Sequence, residues 1–259
     1  EEAPEEAPEE APEEAPEEAP GPAYTEPNKQ NCPEFKSVPV AGNLWPKLFP
    51  MYSNEKIFPN SPNICSFEII KTIIIQTDPQ LNNITTKEIK DILLKQYISY
   101  YEKYKNSIIK IFSLQGKTNI SSQLRENKIS LEDIINNEDY YLTNFDIWLL
   151  ARKLNLPIIL YSGTVKGIRE NNSNLIVLNS NEGNNYYFIK SPGQTTGKKP
   201  EYRLLVELVK GESKEIINFG SLTLELQNKI DKIKNNKTFE EFLSNPPARK
   251  NKIKLVKAK

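Results

Sequence analysis

Proline at every fourth position of residues 1–20 constrains this 259-residue chain more than any other feature of its sequence. Five consecutive Glu-Glu-Ala-Pro units remove backbone donors at regular intervals, so neither a helix nor a sheet ladder can run through them. The glutamates repel one another, and the repeat offers no large apolar side chain to bury. We therefore expect residues 1–39 to be a disordered acidic leader and linker, an extended spacer with polyproline II character. The alternative is a docking motif for a basic partner.

The acidic repeat conceals a basic remainder. The chain balances 34 acidic against 34 basic side chains, but ten of the acidic ones lie in residues 1–20, so residues 21–259 carry a net charge of +10. The most basic run is 249–259, which holds six Lys or Arg and no acid. Such a run attracts phosphate without reading base sequence, so nucleic acid is one candidate partner of the tail. A contact with an acidic protein, or a solubilising role, is the alternative.

The rest of the composition limits which cofactors the chain can bind and in which compartment it is found. The chain has no His and only two cysteines, Cys32 and Cys65, so no Cys/His metal set is predicted. Two thiols in a domain of this size favour a reducing, intracellular compartment over a disulfide framework. No apolar run approaches the ~18 residues that a membrane span needs, and no membrane partner is expected. Residues 191–200 have the glycines and lysines of a phosphate loop, but Pro200 blocks the helix that would hold the phosphate, so no cofactor is predicted.

Heavy use of Asn, Ile and Lys is typical of AT-rich genomes, such as those of some large DNA viruses or protozoa. A viral protein would be found in the host cytoplasm or the virion. The sequence begins inside a repeat without Met, so we expect a piece of a longer protein.

Helical patterns precede strand patterns along the rest of the chain. The apolar run 65–77, ended by Asp78-Pro79, fits a buried helix or a strand; steps of three and four between Phe67, Ile70 and Ile74 favour the helix. A Ser or Thr followed three residues later by an acid marks further helix starts at Thr85, Ser130 and Thr143. Dense apolar or aromatic runs predict strands over 158–161, 175–178, 186–189 and 202–209.

This order predicts the α+β class, with helices packed on a small, mainly antiparallel sheet. The domain should cover 40–210, followed by a helical C-terminal extension with a basic tail over 211–259. On the helix that opens at Thr85, the tyrosines Tyr97, Tyr100, Tyr101 and Tyr104 share a helical spacing. They could stack nucleic-acid bases, but half-buried rings on a helix flank are the favoured interpretation.

Cys65 is the residue that most suggests chemistry. It opens the predicted helix 65–77, where the helix dipole and free N–H groups favour a thiolate. Cysteine proteases place their nucleophile in this way. The alternative is that Cys65 is a small buried residue, as most unpaired cysteines are.

The order of three segments resembles that of the ovarian-tumour (OTU) cysteine proteases, which remove ubiquitin. Residues 65–67 are similar to the nucleophile segment, 138–151 followed by 157–161 to a helix and strand, and 185–189 to the strand that begins with the catalytic His. The resemblance covers roughly residues 60–190. It implies an OTU-like fold of the papain-like cysteine protease class, with the side chains of Cys65 and Asn185 within several ångströms of each other.

The departures from the family pattern remove its chemistry. Pro62 stands at the place of the family Asp, Asn185 at the place of the His, and Tyr187 cannot orient an imidazole. An Asn amide neither takes a proton from a thiol nor returns one to a leaving amine. The resemblance therefore implies a catalytically inactive, OTU-like protein-interaction module in which Cys65 is the vestigial nucleophile position.

Candidate partners of such a module are ubiquitin and another domain of a larger polypeptide. Two alternatives stay open. One is an active cysteine peptidase or deubiquitinase that uses Cys65 with a non-histidine base, and the other is a basic accessory domain that binds nucleic acid.

Overall fold

The computed structural model describes residues 32–39, 54–59, 62, 64–114, 117–162, 175–179, 184–191, 201–235 and 237–245. Residues 1–31 and the basic tail 249–259 lie outside this set, so the expectations for the repeat and the tail remain predictions. The described residues form the α+β arrangement that the sequence predicts. None of their helices is long and apolar enough to cross a membrane.

The described helices and strands follow one another in an order that brings most helices before most strands. They are β1 (Ser37–Pro39), β2 (Asn54–Phe58), α1 (Cys65–Thr77), α2 (Thr86–Leu114), α3 (Thr118–Arg125), α4 (Leu131–Asn136), α5 (Asn144–Lys153), β3 (Ile158–Ser162), β4 (Leu175–Val177), β5 (Asn185–Ser191), β6 (Tyr202–Val209), β7 (Glu212–Lys214), β8 (Ile217–Asn218), α6 (Leu224–Ile233) and α7 (Thr238–Ser244).

Local side-chain chemistry sets several of the helix starts. At Thr85 the hydroxyl accepts from the Glu88 amide at 3.2 Å, and the Glu88 carboxylate accepts from the Thr85 amide at 2.7 Å. The same reciprocal capping box opens α4 at Ser130 and α5 at Thr143. The predicted helix over 65–77 is also confirmed.

The strands lie in the order β1-β2-β6-β5-β3-β4, with β7 paired to β6 and β8 paired to β5. All of these pairs are antiparallel except β3 with β5, whose parallel register places Ile158 opposite Tyr187. The prediction of a mainly antiparallel sheet is therefore confirmed for the described strands.

Both faces of the central strands are buried. Along β5, Tyr187 and Ile189 pack into the larger core beneath helices α1 to α5, whereas Tyr186 and Phe188 pack into a second core that includes Leu226 of α6. This double burial explains why β3 and β5 read in the sequence as continuous apolar runs.

The sheet crosses both of the domain boundaries that the sequence suggests. Strand β1 lies within the segment expected to be leader, yet Ser37 pairs with Lys56, and the rings of Phe35 and Phe58 lie 4.6 Å apart. After residue 210, β7 pairs with β6 across a two-residue turn. Both turn residues, Lys210 and Gly211, have positive φ, as tight hairpins require. Strands β1, β7 and β8 thus belong to the same sheet as β2 to β6.

Candidate functional site

Cys65 is the first residue of α1, and its side chain is fully buried. Its sulfur is bonded to that of Cys32, 33 residues away, with 5.5 Å between the Cα atoms. The expectation of two free thiols is therefore wrong. The register of β1 explains the approach: antiparallel pairing carries Phe35 onto Phe58 at the end of β2, and the chain just before it reaches the start of α1.

The beginning of α1 is anchored to the segment before α5 and to β6. The Ser66 hydroxyl accepts a hydrogen bond from the Leu142 amide at 2.8 Å. The Tyr202 hydroxyl donates to the Leu142 carbonyl, also at 2.8 Å. Cys65 therefore lies at the end of the sheet where β6 begins.

The other end of α1 faces the beginning of β5. Tyr187 of β5 lies beside Thr77, the last residue of α1: burial raises the pKa of Tyr187, and the interaction with Thr77 acts in the opposite direction. Next to Thr77, the Gln76 amide donates to the Glu215 carboxylate. Since α1 has 13 residues, its ends are separated by about 18 Å.

The structure does not bring Cys65 and Asn185 together. Asn185 is the first residue of β5, two positions before Tyr187, and so lies near the C-terminal end of α1. Its side-chain oxygen accepts from the Asn218 amide at 3.1 Å, across the β5–β8 pair. The expected distance of several ångströms between the two predicted site residues is therefore not found. Asn185 is part of a strand pair, and the group bonded to Cys65 is Cys32.

An open groove of about 540 Å³ adjoins the disulfide. Its apolar lining is formed by Pro33 and Phe35, its charged lining by Glu34, Lys56 and Glu68, and Cys32 lines it as well. Cys32 is partly exposed, whereas Cys65 behind it is not. We call this feature the disulfide groove. Sequence reasoning missed it, although an even number of cysteines was a signal that the two could pair.

A second group of ionisable side chains is buried beneath α2 and α5. The Lys117 ammonium donates to the Tyr141 carbonyl at 2.9 Å and lies 3.9 Å from the Asp146 carboxylate. Burial lowers the pKa of Lys117 to about 8, although Asp146 acts in the opposite direction. Asp146 also accepts from the Tyr97 and Tyr140 hydroxyls.

This network joins α2, the segment before α5 and α5 itself. The pKa values of Tyr97 and Tyr140 are raised well above the usual range for tyrosine. Burial is the larger cause, and the negative charge of Asp146 is the second. A fully enclosed set of mutually satisfied groups stabilises a core. We assign it a structural role.

The tyrosines of α2 are also structural. Tyr97 is buried, and the other three are half-buried. The Tyr100 ring packs against Trp148 of α5 with 5.8 Å between the ring centroids. The interpretation of these rings as a helix flank is therefore confirmed.

No protein-family model, curated protein or solved structure matches this chain. The described residues form an α+β domain whose candidate functional site is the disulfide groove. The resemblance to ovarian-tumour proteases rests on the order of its sequence segments alone.

Proposed function

We propose that this chain is a protein-interaction domain that does not hydrolyse amide bonds, with a divergent ovarian-tumour fold as its finer classification. The observation that supports the proposal best is the covalent state of Cys65, whose sulfur is buried and bonded to Cys32. A sulfur in a disulfide is not a thiolate, so it cannot act as the nucleophile that attacks a carbonyl.

Reduction alone would not produce a cysteine peptidase. Amide hydrolysis also needs an acid to protonate the leaving nitrogen, which histidine normally supplies because its pKa lies near neutrality. The chain contains no His, and Asn185 lies at the opposite end of α1 from Cys65. The ionisable side chains among the described residues that line the groove are Glu34, Lys56 and Glu68. Carboxyl and ammonium groups ordinarily titrate far from neutrality.

The disulfide groove is the surface that we propose for a protein ligand. Pro33 and Phe35 supply apolar contact area, and Glu34 and Glu68 supply acceptors for a basic side chain. The groove thus combines a small apolar area with charged side chains that could pair with a basic ligand. Ubiquitin is the first partner to test, because the sequence order resembles a family that acts on it.

The experiment combines an activity assay with a binding assay. The full chain, oxidised and reduced, is incubated with a ubiquitin–amide substrate, and ¹⁵N-labelled ubiquitin is titrated with it. We expect no cleavage in either redox state, and shifts of the ubiquitin spectrum that Phe35→Ala weakens and the matched α2 variant Ile98→Ala leaves unchanged. Ile98 is 52% exposed and lies outside the groove. Cleavage that disappears on Cys65→Ala would contradict the proposal and favour a cysteine peptidase.

A further inference from the structure

We propose that the Cys32–Cys65 disulfide is a thiol-exchange site, at which a small neutral or cationic thiol entering the disulfide groove attacks the sulfur of Cys32. This inference is independent of the proposed function. It depends on which sulfur is accessible, on where the displaced sulfur lies, and on the charges around the groove.

The two cysteines differ in exposure. Cys32 is partly exposed and lines the groove, whereas Cys65 is 0% exposed. Thiol–disulfide exchange requires direct contact of a thiolate with the sulfur that it attacks. An incoming thiol therefore reaches Cys32 and makes Cys65 the leaving group.

The leaving sulfur lies at the N-terminus of a helix. Cys65 begins α1, which has 13 residues. The positive end of the helix dipole stabilises a thiolate at the first turn. The helix N-terminus favours departure of the Cys65 sulfur as a thiolate, whereas the full burial of Cys65 acts against it.

The charges around the groove select among thiols. Glu34 is exposed and has no ionic partner among the described residues. Lys56, the groove's one cation among its described lining residues, is already paired with Glu215. Glu68 is 3.9 Å from Lys71, a long contact that leaves its charge only partly compensated. The groove is therefore acidic on balance, and it disfavours an anionic thiol.

The exchange reaction needs thiol as its only co-reactant. A thiolate RS⁻ bonds to the Cys32 sulfur, the Cys32–Cys65 bond breaks, and its electron pair leaves on the Cys65 sulfur, which takes up a proton. A second thiolate then attacks the sulfur of R in the mixed disulfide. This releases RSSR and the Cys32 thiol, so two thiols supply the two electrons that reduce the protein.

The test compares two small thiols of similar size and opposite charge, cysteamine and 3-mercaptopropionate. Folded full-length chain is mixed with each at low ionic strength, the mixed disulfide is trapped by acid and alkylation, and peptides are mapped by mass spectrometry. Each rate is divided by the rate at which the same reagent, at the same pH, reduces a small uncharged disulfide, which corrects for both thiolate concentration and intrinsic nucleophilicity. We expect the adduct on Cys32 and a cysteamine rate roughly three to ten times higher, the size of effect that one or two nearby charges produce.

Variants separate local charge from other causes. Glu34→Gln, at an exposed position, should reduce the ratio of the two rates, and Glu34→Gln with Glu68→Gln should bring it near one. The matched control Glu132→Gln removes an exposed acid of α4 outside the groove and should leave the ratio unchanged. An adduct on Cys65, equal rates for the two thiols in the unmodified chain, or reduction that occurs only in denaturant would overturn the proposal.

Discussion

The Lys117 ammonium lies 3.4 Å from the centroid of the Tyr140 ring, and its side chain is only 2% exposed. The Tyr141 ring, 4.7 Å from the same nitrogen, covers another side of it. Aromatic faces attract cations, and more strongly so when the cation is removed from water. The side chain is thus held by ring faces, one carbonyl and one carboxylate in the interior of the domain.

The first prediction concerns the pH dependence of stability. Between the folded pKa of Lys117, about 8, and its ordinary value in the unfolded chain, near 10.4, the unfolded state binds the proton and the folded state does not. The free energy of unfolding should therefore rise with pH in this window, by about 1–2 kcal/mol between pH 8 and 9.5. Above about pH 10 it should fall, because the buried Tyr97 and Tyr140 keep protons that the unfolded chain loses.

Urea unfolding followed by tryptophan fluorescence at a series of pH values measures this curve. The variant Lys117→Met keeps an unbranched side chain, one atom shorter, that cannot titrate, so it should lose the rise between pH 8 and 9.5. Lys95→Met, at an exposed position of α2, is the matched control and should keep it. A rise of equal size in both variants would show that Lys117 is not its origin.

The second prediction concerns the anchor at the start of α1. Ser66→Ala removes the acceptor of the buried Leu142 amide, and an unsatisfied buried N–H costs about 1–3 kcal/mol. The midpoint of urea unfolding should therefore fall. Ser99→Ala, on the exposed side of α2, should change the free energy of unfolding by less than about 0.5 kcal/mol. Equal effects of the two substitutions would contradict the importance of this contact.

The third prediction follows from the positions of the two predicted site residues. In a Cys32→Ser background, which frees the Cys65 thiol, Asn185→His should change neither the rate nor the pH dependence of Cys65 alkylation. Because the two positions lie toward opposite ends of α1, whose 13 residues span about 18 Å, an imidazole at 185 is beyond hydrogen-bonding reach of the thiol. Asn185→Gln serves as the control for disturbance of β5. A His-dependent fall in the pKa of the thiol would show that the two side chains meet.

The fourth prediction concerns the basic run 249–259, which lies outside the described residues. If it binds nucleic acid, truncation after Pro247 should weaken binding to a polyanion such as heparin and flatten the dependence of log K on log salt, because fewer counterions are released. The measurement is a salt series of binding isotherms on both chains. An unchanged slope would exclude the tail as the binding element.

Features that depend on residues close together in the sequence could be predicted from it. The start of α2 at Thr85 and of α5 at Thr143 follows from reciprocal capping, a contact between residues three apart. The end of α1 follows from Asp78-Pro79, because the residue before a proline avoids the helical conformation. Strand β3 was predictable from a short apolar run after Pro157.

Features that depend on distant pairings could not be predicted in this way. Cys32 and Cys65 are 33 residues apart, and only the pairing of β1 with β2 carries the first to the second. The sequence patterns predict which helices and strands form and in what order. They do not predict the direction of α1 relative to β5, and it is this direction that places Cys65 and Asn185 at opposite ends of the helix. Lys117 sits between two helices in a short polar segment that shows no periodic pattern, so nothing marked it as buried.

The bond between Cys32 and Cys65 closes a covalent ring that contains β1 and β2. A protease that cuts one peptide bond inside this ring produces two polypeptides that remain a single molecule. On a non-reducing denaturing gel the nicked protein would migrate as one band, and it would separate into two only when reductant is added. Cleavage within the ring and dissociation of the resulting pieces are thus separate events, and the redox state of the surroundings controls the second.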